Sequence, residues 1–197
     1  MSTDDSPRAG NSICWSKFSE VAERWRAIYQ AHGQSPFLSP AWHGILHNLI
    51  SEISGPQKDL DVVDIRDSTN ATLGLATIGK STWRRLRVFS SRVLCLNETG
   101  VARFDRLTLE HNGLLCAVRE QGDFLASLID CLLERDDWDE FSLGWMDVEH
   151  WQQLHLYLRD LPLTPWEEQR KPYFFIDLQN VSDLEEYLQQ LSSNTRQ

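Results

Sequence analysis

No stretch of this 197-residue chain approaches the roughly 20 consecutive apolar residues that a bilayer-spanning helix requires. Its first residues, Met-Ser-Thr-Asp-Asp, contain neither a basic segment nor an apolar one, so no secretory leader is expected. Positive charge is scarce as well. Nineteen Lys and Arg stand against 29 Asp and Glu, and the net charge of -10 argues against nucleic acid and anionic membrane surfaces as partners. The four cysteines, Cys14, Cys95, Cys116 and Cys131, are widely separated and form no Cys-x-x-Cys pair. They read as buried, reduced thiols of a cytoplasmic protein. In that setting the Asn-x-Ser/Thr matches at Asn70, Asn97 and Asn180 carry no meaning. Gly-x-Ser-x-Gly, Gly-x-Gly-x-x-Gly and the phosphate-binding P-loop pattern are all missing, which removes the usual hydrolase and nucleotide signatures.

The hydrophobic fraction of 41% supplies a sizeable core, and eight Trp suggest broad aromatic packing or an interaction face. Residues 1–12 are polar and read as a disordered tail. A helix is expected after Ser16, with Phe18, Val21, Ala22, Trp25, Ile28 and Tyr29 at helical spacing and Gly33 as its end. A second starts at Ser39-Pro40, carries the stripe Trp42, Ile45, Leu46, Leu49, Ile50 and Ile53, and stops at Gly55-Pro56. Leu60–Arg66 and Leu73–Lys80 flank a turn-rich stretch and predict a hairpin. Further strands are expected at Leu86–Ser90, Arg92–Leu96, Arg106–Leu109, Leu114–Val118, Glu140–Trp145 and Tyr173–Leu178. Helices are expected over Phe124–Leu133, around Val148–Leu161, and from Ser182, where Glu185 completes a capping box. The order implies an α+β (mixed α/β) fold, a largely antiparallel mixed sheet flanked by helices. The expected division is a domain over 13–178 and the opening helix of a further domain over 179–197.

Chemistry-bearing residues are few. His43 and His47 stand four apart on a helix, as two metal ligands can. No third ligand is near in sequence, so the expectation is a solvated or partly packed pair and no metal. The basic run Lys80, Arg84, Arg85, Arg87 and Arg92, with Trp83 beside it, could dock an anionic glycan or a phosphate. The commoner reading of such a run is a solvated hairpin edge.

Three segments carry a family resemblance: SPFLSPAWHGIL from Ser35, DWDEFSLGWMD over 137–147, and PYFFIDLQNVSDLEEYLQQLSSNTRQ at the end. Together they resemble the cellulose-biosynthesis-type (CelD/BcsL) acetyltransferases of the GNAT superfamily, similar in architecture to FemAB-type transferases. The resemblance runs from about residue 35 to 197. It implies a GNAT-like domain, the first half of a longer acyltransferase. The acyl donor would be acetyl-CoA or another acyl-CoA, held largely by a second half, in the same chain or in trans. The implied acceptor is a glycan or envelope precursor, and pairing with a second copy of the chain is a further expectation.

That family holds the CoA diphosphate on a Gln/Arg-x-x-Gly-x-Gly/Ala turn between a strand and a helix. Backbone N–H groups face the anion there, and small residues let them approach. Gln30-Ala-His-Gly-Gln-Ser35 follows a helix and reads as a helix end. Arg119-Glu-Gln-Gly122-Asp-Phe124 has the right context but the wrong chemistry, with Phe124 at the small position and Glu120 and Asp123 adding negative charge. Arg119 and Gly122 are therefore candidates for a degenerate cofactor loop, and this chain alone is expected to bind no cofactor. Asp105 lies where relatives carry an acidic residue, and with Trp83 and Arg85 it is a candidate for the substrate groove. No catalytic residue is nominated. Two readings stay open: part of an acyl-CoA-dependent acyltransferase, or a non-catalytic module that binds or assembles.

Overall fold

The computed structural model describes residues 11–32, 35–54, 60–86, 88–105, 112–144, 146, 148–167 and 183–190. The chain divides into two compact units, Met1–Leu163 and Thr164–Gln197. In the first, a six-stranded sheet has the order β1-β2-β3-β4-β6, with β5 pairing β3. Its strands are β1 (Ser12–Ser16), β2 (Asp61–Arg66), β3 (Thr72–Arg85), β4 (Phe89–Leu96), β5 (Leu115–Cys116) and β6 (Glu140–Ser142). Its helices are α1 (Phe18–His32), α2 (Pro40–Ser54), the single turn α3 (Ala102–Asp105), α4 (Gln121–Leu133) and α5 (Val148–Leu158). All strand pairs are antiparallel except β4 with β6, which α4 joins as a parallel crossover. The mixed, mostly antiparallel sheet flanked by helices is the fold class that the order of apolar periodicities implies.

Both faces of the sheet are covered. Val62, Leu75 and Leu115 pack with Val21 and Trp25 of α1, while their neighbours Val63, Ala76 and Cys116 pack with Phe124, Leu128 and Leu132 of α4 and Leu154 of α5. A strand buried on both sides loses its polar alternation, which is why β2 reads Val-Val-Asp-Ile. Ser39 Oγ accepts the Trp42 N–H at 3.2 Å and starts α2 as the Ser-Pro pair predicts. The β2–β3 hairpin turns on Asp67, whose Oδ1 accepts the N–H groups of Thr69 and Ala71 at 2.8 and 3.0 Å.

Several expectations shift. The sheet starts at Ser12, inside the stretch expected as a tail, and Ser16 closes β1 rather than capping α1. The cap is Lys17, whose N–H bonds the Glu20 carboxylate at 3.2 Å. Leu86–Ser90 and Arg92–Leu96 are not two strands. β3 runs on to Arg85, the chain turns at Leu86, and β4 is continuous from Phe89. Leu86 takes φ +50°, a conformation usually signalled by Gly or Asn, so the sequence hides this turn. Leu114–Val118 shrinks to the two residues of β5. Gly33, Gly55-Pro56, Arg106–Leu109 and Tyr173–Leu178 lie outside the described residues. In the second unit, α6 spans Leu184–Gln190. Its first turn is capped by Asp183, whose Oδ1 accepts the Glu186 N–H at 2.9 Å, whereas Ser182 lies outside the described residues.

Candidate functional site

The sheet is interrupted where β4 ends. Leu96 still pairs with Ile78, but the next residue, Asn97, turns away with φ +53°. Its side chain completes the ladder. Asn97 N–H donates to Thr77 O at 2.6 Å, and Asn97 Oδ1 accepts the Thr77 N–H at 2.9 Å. Asn97 Nδ2 donates to Asn112 Oδ1 and Gly113 O, and Asn112 Nδ2 reaches back to Leu96 O at 2.6 Å. These buried bonds hold β4 and the approach to β5 apart without orphaning the backbone. His43 joins the same cluster. It is fully buried, with Nδ1 2.9 Å from Thr77 Oγ1 and its ring 4.3 Å from that of Trp25. Burial first, then His47, lowers its pKa to about 3, so it is neutral and part of the core. The expectation of a solvated or partly packed pair fails for His43, because α2 turns it inward onto β3. No cluster of metal-ligating side chains occurs among the described residues.

After Asn97 the turn Glu98–Gly100 crosses directly over β3. A Cβ on Gly79 would collide with the carbonyl oxygen of Glu98, and Gly100, at φ +75°, lies against the backbone of Lys80. Two glycines thus permit a backbone-on-backbone crossing that any side chain would block. Asp105 fixes the turn from α3, its Oδ1 accepting from Thr99 N–H at 2.8 Å and Thr99 Oγ1 at 2.7 Å.

Between this turn and the sheet lies a cleft of about 260 Å³ lined by Trp83, Cys95, Glu98, Gly100, Ala102 and Asp105. The Glu98 carboxyl group extends over Gly144, just past β6. Burial first, then the charge of Asp105, raises its pKa to about 7. No hydrogen bond or ion pair to a described residue holds it in either protonation state. Cys95 also faces the cleft, but burial, then Glu98 and Asp105, push its thiol up to about 12, which keeps it from acting as a thiolate near neutral pH. The chemistry the cleft offers is therefore proton transfer by a carboxyl group poised near neutrality, beside a second carboxylate and an indole.

The α4 turn is a different place. Arg119 is exposed and pairs with Glu120 at 3.4 Å. A Cβ on Gly122 would meet open space, so no close backbone approach depends on that glycine. Phe124 is fully buried in the core cluster and does not stand in the turn, so its ring is not what crowds that position. What the helix start presents is Glu120 and Asp123, and α4 has no side-chain cap hydrogen bond. Two carboxylates at an N-terminus suit the helix dipole but oppose a diphosphate.

No family model and no curated protein matches the chain. Among solved structures it aligns with an aminoglycoside N-acetyltransferase in complex with CoA, at 15% identity over 87% of this chain and 98% of that one, with a TM-score of 0.44. It also aligns with a transcriptional regulator from Bacillus halodurans C-125, at 11% identity over 83% of this chain and 99% of the other, TM-score 0.46. A Trypanosoma brucei acetyltransferase aligns at 12% identity with the same coverages and a TM-score of 0.44.

Of the sequence candidates, Trp83 and Asp105 come together in the cleft. Arg85 does not line it; its guanidinium packs over the Trp83 ring at 4.9 Å and pairs with Glu140 at 2.6 Å. Arg119 and Gly122 lie outside it. Sequence reasoning missed Glu98, Cys95 and Gly100. The available signal was Asn97-Glu-Thr-Gly100, turn residues placed directly after a buried strand.

Proposed function

We propose that this chain is the acceptor-binding part of an acyl-CoA-dependent acyltransferase of the GNAT type. In this reading its cleft receives an amine or hydroxyl of a polysaccharide or envelope precursor. The resemblance of the three quoted segments and the antiparallel sheet with one parallel β4–β6 pair support the class. The observation that carries the reading is Glu98, a carboxyl group with no partner among the described residues and a pKa near 7, in a cleft beside Asp105 and Trp83. As a carboxylate it takes a proton from the acceptor and frees the nitrogen or oxygen lone pair, which bonds to the acyl carbon as the thioester C–S bond breaks and the sulfur leaves, protonated, as the thiol. Asp105 and Glu98 together favour an acceptor that arrives as an ammonium, and the Trp83 ring offers it an apolar wall. The α4 turn does not fit the donor's diphosphate, so donor binding is assigned to a second domain or partner chain and no step is routed through this turn.

One observation favours the alternative, a non-catalytic binding module: the carboxylates Glu120 and Asp123 where an acyl-CoA enzyme needs an anion cradle. Calorimetry separates the two. An amino-sugar oligosaccharide is expected to bind with an affinity that rises through pH 7, and Glu98→Gln is expected to remove that rise and weaken binding roughly tenfold. Binding that ignores both pH and the substitution refutes the acceptor site. Micromolar binding of acetyl-CoA that Arg119→Ala abolishes refutes the exclusion of the donor from α4.

A further inference from the structure

The hairpin between β3 and β4 projects from the sheet. β2 accompanies β3 as far as Ile78, and β6 accompanies β4 only over Val93–Cys95. From Ser81 to Ser91 the two strands pair, among the described residues, only with each other. Ribbons of this kind usually end in polar turn residues. This one ends in Leu86, Val88 and Phe89, which are 85, 78 and 65% exposed. Among the described residues nothing covers them, and Leu86 adopts φ +50° at the apex despite its side chain. Exposing three large apolar groups within four residues is a cost to folding that a binding partner would offset.

Charge narrows the partner. Residues 80–96 contain five basic side chains, Lys80, Arg84, Arg85, Arg87 and Arg92, and no acidic one, in a chain of net charge -10. Lys80 and Arg92, toward the base of the ribbon, pair with Asp61 and Asp139, and Arg85, next to the apex, pairs with Glu140. Arg84, one register step further from the apex than Arg85, is exposed and pairs with no described residue. An apolar tip flanked by Arg84, a cation with no partner among the described residues, complements a surface that is apolar inside and anionic outside. An anionic glycan has nothing to offer Leu86 and Val88. The net charge of the chain does not decide the matter, because charges more than about 8 Å away are screened at physiological salt. The composition-based exclusion of anionic membrane surfaces therefore does not extend to this tip.

We propose that the β3–β4 tip docks on an anionic lipid bilayer, seating Leu86, Val88 and Phe89 below the headgroups with Arg84 at phosphate level. This is peripheral attachment, and it concerns a different surface from the cleft. The test is co-sedimentation of the full chain with vesicles, either phosphatidylcholine alone or an equal mixture with phosphatidylglycerol. Binding is expected with the mixture, to weaken with salt, and to be near background with phosphatidylcholine alone. Leu86→Ser combined with Phe89→Ser is expected to reduce binding roughly tenfold or more, and Arg84→Glu by a few fold, since each buried apolar group and each cation adds its share. All three side chains are exposed, so thermal unfolding of the variants should match the parent. Equal binding to both vesicle types, no binding to either, or binding indifferent to the apolar substitutions overturns the proposal. So does a self-association in sedimentation velocity, without vesicles, that the double substitution abolishes, because the tip would then be a protein contact.

Discussion

Half-buried Glu98, just past β4, and buried His43, on α2, are titratable groups that pull stability in opposite directions. Glu98 has its folded pKa raised from 4.5 to about 7, so its favourable contribution is complete below pH 4.5 and lost as pH rises through 7. Glu98→Gln stays neutral throughout. It should match the parent at low pH and exceed it by about 2–3 kcal/mol above pH 8 in urea unfolding. His43 has its folded pKa lowered from 6.5 to about 3, so its contribution is present above pH 6.5 and declines as pH falls toward 3. In the Glu98→Gln background, where the opposing carboxyl is gone, that decline should appear as a loss of about 2 kcal/mol between pH 6.5 and pH 5, and His43→Gln should flatten it. A pH profile that does not change with either substitution would mean that neither group is desolvated as described. The sequence offered His43 only as one half of a helical pair. Its burial is decided by β3, because Thr77 sits beneath it.

The turn Glu98–Gly100 and the strand under it behave as one element. Gly79→Ala places a methyl group where the Glu98 carbonyl and the Thr99 backbone lie, and backbone cannot give way cheaply. The expected loss is about 2–4 kcal/mol in denaturant unfolding. The Glu98 titration, followed by NMR, should move back toward ordinary carboxylate values as the turn lifts into water. Unchanged stability would show that the crossing is looser than the contact implies. At the same scale the sequence read α2 and the β2–β3 hairpin well, because Ser39-Pro40 and the Asp67 turn carry their own capping chemistry. It misread the β3–β4 hairpin, because Leu86 takes a left-handed conformation that no local preference announces. It missed β1 because Ser12–Ser16 gains its strand character from pairing with β2.

Over the whole molecule, α4 is a core helix before it is anything else. Phe124 lies under β3, with the Cβ position of Gly74 2.6 Å from its ring. Phe124→Ala should cost about 3–5 kcal/mol by emptying that space. It should not create affinity for CoA, because Glu120 and Asp123 remain at the helix start; calorimetry with acetyl-CoA reads this, and a gain in binding would contradict it. By itself the sequence determined the alternation of helices and strands, the covered sheet and the acidic start of α4, since periodicity, caps and charges are local properties. Within the described residues, no helix is long and apolar enough to cross a membrane, as hydropathy also implied. The cleft was decided by tertiary structure alone. Trp83, Cys95, Glu98 and Asp105 meet only because β4 stops pairing at Asn97 and two glycines let the chain fold back over β3. Glu98 acquires a pKa near 7 because burial in that fold, and then the charge of Asp105, disfavour its carboxylate, and both are properties of neighbours in space.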